Sequence, residues 1–86
     1  MTSNVIARSI GSNVKAEIAR HRTTQAQIAR VIGKTPMAVT RRVSGEIPFS
    51  AVELSAIADH LGVPVERFYE TQVKTQPALA GAGEAS

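Results

Sequence analysis

Residues 24–45 read TQAQIARVIGKTPMAVTRRVSG. A hydroxyl at Thr24, or at Thr23 just before it, can cap a helix, and AQIARVI then places Ile28, Ala29 and Ile32 on one face before Gly33 stops the run. Thr35 followed by Pro36 marks a second start, because proline at the first helical position lacks an amide proton that has no partner there anyway. Val39 and Val43 form the buried stripe of that second helix, and Gly45 ends it. Two helices of about nine residues joined by a tight Gly33-Lys34 turn predict a helix-turn-helix. Between the two valines stand Arg41 and Arg42, with no acid anywhere in the stretch. The second helix thus reads as a narrow apolar stripe under a cationic outward face.

The flanking segments supply a core for this pair. Upstream, Ile6, Ile10, Val14 and Ile18 recur every four residues and predict an amphipathic helix over about 4–21, in which Gly11 marks a close approach by another helix. Downstream, Ile47, Pro48 and Phe49 form an apolar connection. Ser50 and Glu53 make a capping box, and the helix it opens is expected to turn Val52, Leu54, Ile57, Ala58 and Leu61 inward before Gly62 stops it. Pro64 and Glu66 begin a short fifth turn carrying Val65, Phe68 and Tyr69. After about residue 72 the pattern dissolves into VKTQPALAGAGEAS, which is expected to be disordered. The expectation is an all-α compact domain of five short helices over 1–72, with a disordered tail over 73–86.

Composition agrees with one small domain, since 86 residues are too few for two. The three aromatic residues are Phe49, Phe68 and Tyr69, so the core is expected to be largely aliphatic. The chain has no cysteine, which excludes disulfides, thiolate metal sites and cysteine nucleophiles. The longest apolar run falls far short of the roughly 20 residues that cross a bilayer, and the N-terminus lacks the order of a signal peptide. A soluble, cytoplasmic protein is expected. Charge is distributed unevenly: eight basic residues stand against Glu17 over 1–45, a net of +7, and two stand against six acids over 46–86, a net of −4. A basic half beside an acidic half fits a molecule that meets a polyanion on one face.

The chemistry of the second short helix points to duplex DNA. In a helix-turn-helix the second helix enters the major groove, which is roughly 12 Å wide, while the first crosses the backbone. Arg41 is the expected base reader, since a planar guanidinium matches the two acceptors of guanine. Pro36 and Met37 can offer apolar contact to a thymine methyl, and Thr40 can reach a base edge or a phosphate. Arg42, one step around, is expected on the backbone, as are Lys34 and Ser44 at the two ends of the helix and Arg22 just before the first one. Arg8, Lys15 and Arg20 read instead as a solvated face.

The ordered set Thr24-Gln25, Ile28-Ala29, Gly33, Val39-Thr40, Gly45, Pro48 and Ile57-Ala58-Asp59-His60-Leu61-Gly62-Val63 resembles the phage-repressor-like helix-turn-helix family, often called the XRE family. The resemblance implies a lambda-repressor-like fold and a bacterial or phage-encoded transcriptional regulator without cofactor. It implies that Gln25 bonds a phosphate and braces the recognition helix, that Pro36, Met37 and Arg41 stand at base-reading positions, and that Ser44 stands at a phosphate position. This chain departs from the family at Pro36, where a polar residue is usual, and at Arg42, where an apolar one is usual. Either its third helix is slightly rotated or the stem of Arg42 covers the edge of the core.

A repressor of this size is expected to bind two half-sites as a homodimer, with Val63, Val65, Phe68 and Tyr69 as interface candidates. The alternative is an antitoxin or phage regulatory module whose main partner is a protein, bound through the C-terminal region. His21 and His60 lack the spacing and the company of metal ligands, and Asp59-His60 lacks a nucleophile elbow, so neither a metal nor catalysis is expected.

Overall fold

The first helix, α1, runs over Thr2–Arg20 in the computed structural model of the chain, which describes residues 2–70. Three more helices follow, α2 (Gln25–Ile32), α3 (Pro36–Val43) and α4 (Ala51–Leu61), and the fifth element is a 3-10 turn at Val65–Tyr69 rather than an α-helix. No described residue is in a strand. The tail expected to be disordered over 73–86 lies outside the described residues.

The caps are those the local sequence prescribes. Thr24 Oγ1 accepts from the Gln27 amide and Thr35 Oγ1 from the Ala38 amide, each at 3.1 Å. Ser50 and Glu53 close a full capping box, at 3.0 Å and 2.9 Å. Gly33 ends α2 in the left-handed region, φ 68°, and its amide reaches back to the last turn of the helix. A side chain there would cost about 1 kcal/mol, which is why glycine suits the turn between the two short helices.

α1 packs on α3 and on the 3-10 turn, while α4 packs on α2 and on the same turn, so α2 and α3 are held between two supports. Val14, Ile18, Ile28, Val39, Leu54, Ile57 and Phe68 meet in the centre. Phe49 joins them from the connection before α4, so two of the three aromatic residues belong to the core. Asn13 fastens the 3-10 turn by donating from Nδ2 to the Phe68 carbonyl at 2.9 Å and to the Glu70 carbonyl at 2.5 Å.

Gly11 marks a close approach, as its place in α1 suggested. A Cβ there would lie 2.7 Å from the Arg42 carbonyl oxygen and nearer still to that of Val43. α1 thus crosses directly over the last turn of α3.

Two inward assignments are corrected. Ile6 is 52% exposed, because a four-residue repeat drifts by about 40° per step on a helix; Ala7 takes its place in the core. Val52 is 79% exposed, since it lies about 200° around α4 from Leu54, which leads the buried set Leu54, Ile57 and Ala58.

Candidate nucleic-acid interface

α3 is held by Val39, which is fully buried, and by half-buried Val43. Pro36, Met37, Thr40 and Arg41 stand exposed on its other side. Arg41 has no ion pair among the described residues, so its guanidinium keeps all its donors for a ligand. Met37, 60% exposed, gives this face an apolar element beside the charge.

Gln25 at the start of α2 is tied to the middle of α3. Thr40 Oγ1 donates to Gln25 Oε1 at 2.8 Å and lies 3.1 Å from the Pro36 carbonyl. The consequence for donors and acceptors is specific. The amide oxygen of Gln25 is occupied by the brace, so its NH2 group is the part left to donate to an anion. Thr40 has committed its one proton and can only accept, which suits an exocyclic amine on a base edge better than a phosphate. At the other end of α3, the Ser44 hydroxyl donates to the Arg41 carbonyl at 2.9 Å. A contact from Ser44 Oγ to phosphate requires that bond to break.

Arg42 is placed differently from the expectation. Its Nε donates to Glu53 Oε1 at 3.1 Å and its NH1 to the Ala38 carbonyl at 3.0 Å, and its side chain is 13% exposed. The guanidinium faces the start of α4 rather than solvent, and its charge is neutralised there. The residue acts as a strut between α3 and α4. Phe68 is also withdrawn from the expected interface set, because it is fully buried within the protomer. Val63 and Val65 lean on the core, and Tyr69, 52% exposed, is the apolar side chain of the four that remains available.

Burial by itself would raise the carboxyl of Glu53, but the hydrogen bond from the Ser50 amide, Arg42 beside it and the charge of Lys34 outweigh that and hold it below its ordinary 4.5. A carboxylate depressed in the folded state contributes stability above its unfolded value and loses it as the pH falls through the folded one. Glu53→Gln is therefore expected to cost about 2 kcal/mol at pH 7, with the gap from the parent chain closing as both are titrated into the acid range. Urea unfolding of the two chains at several pH values measures this, and a gap that does not change with pH would refute it.

A buried acid escaped the sequence reading. Glu17 is 1% exposed, with Arg20 NH1 at 2.5 Å, Arg67 NH1 at 3.6 Å and His21 Nε2 at 3.4 Å. The signal was present in the spacing, since Glu17 follows Val14 by three and so shares the inward face of α1. Around it gather Arg20, Arg67 and His21 on the side of α1 where the 3-10 turn packs. Arg8, Lys15, Arg22, Lys34 and Arg41 have no such partner among the described residues. Arg22 also holds a left-handed backbone, φ 54°, in the turn before α2, a conformation that costs a residue with a Cβ about 1 kcal/mol.

No described helix is long and apolar enough to cross a membrane, and no group of three metal-ligating side chains forms among the described residues. No curated protein matches the sequence. The model of the helix-turn-helix family HTH_3 matches residues 14–68, which takes in α2, α3, α4 and the last part of α1. With the braced α2–α3 pair, the acid-free outward face of α3 and a match over more than half of the chain, this protein belongs to the XRE-type, lambda-repressor-like helix-turn-helix family of DNA-binding regulators.

Proposed function

We propose that the chain is a transcriptional repressor that binds operator DNA as a dimer, with α3 in the major groove of each half-site. The observation that carries this reading is Arg41, exposed and unpaired on a helix whose opposite face is anchored by Val39 and whose start is braced through Thr40 and Gln25. Arg41 reads a guanine through its two parallel donors, Met37 and Pro36 make apolar contact with base edges, and Thr40 accepts from an exocyclic amine. The Gln25 NH2 group, Lys34 and Arg22 hold phosphates and set the register. Ser44 joins them only if its bond to the Arg41 carbonyl opens. Arg42 acts indirectly, by fixing the angle of α3 against α4.

A single module of this size reads few base pairs, so specificity calls for two copies on half-sites one helical turn, about 34 Å, apart. Tyr69, with the edges of Val63 and Val65, supplies the apolar contact between them, and occupation of a cytoplasmic promoter would block transcription sterically. Arg41→Ala is expected to cost about 1–3 kcal/mol in binding to a site recovered by selection from random duplexes, and to relax preference at one base pair of each half-site. Unchanged affinity and unchanged preference would overturn the assignment of α3. Sedimentation that finds only one copy per duplex would overturn the dimer.

A further inference from the structure

α1 carries a second basic surface that the sequence reading passed over as a solvated face. Arg8 and Lys15 are seven residues apart, which brings them to within about 20° of each other on one side of the helix and about 10 Å apart along it. Arg22 continues the same spacing just past the helix end. All three are exposed, as are Ser12 and Ala19 between them, so no acid interrupts the stripe. None has an ion pair among the described residues. The acid of α1, Glu17, is turned inward on the opposite flank, where Arg67 of the 3-10 turn reaches it.

The orientation of the stripe is set by two contacts with the end of α3. Gly11, about 60° around the helix from Arg8, meets the carbonyls of Arg42 and Val43. Arg8 itself lies against Gly45, where its Cα would stand 2.8 Å from any added Cβ and its Cγ closer. One end of the stripe therefore sits beside Ser44 at the close of α3. The other, Arg22, precedes the Thr24 cap and Gln25 at the opening of α2. These are the two places at which the proposed DNA backbone passes. Glu46, exposed in the turn after Gly45, makes no ion pair with Arg8 among the described residues. Arg8 precedes residue 14, where the family match begins, on the same continuous helix.

We propose that Arg8 and Lys15 extend the contact of Arg22 into a continuous phosphate-binding rail along α1, which grips the duplex backbone beside the base-reading helix. This rests on the DNA-binding role of α3 proposed above. The rail reads charge and not sequence, so its effect lies in affinity and in salt dependence.

The test uses the full chain with a fluorescent duplex carrying the selected site, and with a scrambled duplex of the same composition, over a series of salt concentrations. Arg8→Gln and Lys15→Gln are each expected to lower the slope of log affinity against log salt by about 1.8, about 0.9 from each copy of the dimer, and to weaken both duplexes about sixtyfold at 0.1 M salt. Ser55→Glu, which removes the same unit of net charge on the exposed face of α4, is expected to leave the slope unchanged. An unchanged slope in either α1 variant overturns the rail, and so does an equal loss in Ser55→Glu, which would assign the effect to net charge. If those outcomes occur while Arg41→Ala still loses affinity and preference, the DNA reading stands and the rail alone falls. If Arg41→Ala binds like the parent chain, the reading beneath it falls as well.

Discussion

Phe68→Ala is expected to lose about 3–5 kcal/mol of stability, close to the whole stability of a domain of this size. The ring is fully buried where the 3-10 turn closes over α1 and α4, and the turn has few other holds. Among them are the partly buried Val65, the Asn13 bonds to the carbonyls of Phe68 and Glu70 and the Arg67–Glu17 pair, and all depend on the turn staying in place. Once the ring is removed, the cavity lies where the turn meets α1 and α4 and cannot collapse without moving a helix. Urea unfolding monitored by helical circular dichroism measures the loss. The result also separates two roles. A side chain that joined two protomers would, when removed, lower the association constant and leave the monomer as stable as before. Phe68 is expected to do the reverse, whereas Tyr69→Ala is expected to weaken association and to change monomer stability by less than about 1 kcal/mol.

Gly11→Ala is expected to be destabilising by about 2 kcal/mol or more, although alanine is the better helix former by about 1 kcal/mol. The clash decides the sign. The added methyl meets the carbonyl oxygens of Arg42 and Val43, and backbone atoms cannot rotate away as the end of a long side chain can. Relief requires α1 to lift from α3, which exposes part of Val14 and Val43 and shifts the last turn of α3. The melting temperature should fall by about 10–15 °C, on the scale of 4–8 °C per kcal/mol for domains of this length. Ser12→Ala, one residue on and exposed, has a smaller gain in helix propensity and no such contact, so it should raise stability by a few tenths of a kcal/mol. If Gly11→Ala melts at or above the parent temperature, the close crossing of α1 over α3 is wrong.

The boundaries of α2, α3 and α4 could be read from the chain because the groups that set them are neighbours. A threonine or serine hydroxyl reaches an amide three residues on, and a glycine accepts a left-handed backbone whatever surrounds it. The buried faces were also readable where the period was that of a helix, as at Leu54, Ile57 and Ala58. They were misread at Ile6, where a period of four was followed too far, and at Val52, where an apolar residue was taken to be an inward one. In both positions hydrophobicity outweighed geometry.

The charged side chains divide the same way. That α3 would carry arginines and no acid was written in residues 24–45, and the exposed Arg41 follows from its place relative to Val39 and Val43. That Arg42 would turn away from this face followed from nothing local, because its partner Glu53 lies eleven residues on, at the start of another helix. Asn13 and the Phe68 carbonyl are 55 residues apart, and Arg8 meets Gly45 only because α1 crosses the end of α3. Helix position, cap and period are short-range properties, so the order of residues prescribes them. Whether a given cation is a strut, a buried counter-ion or a free donor depends on which helix lies across from it, and that was settled when the four helices packed.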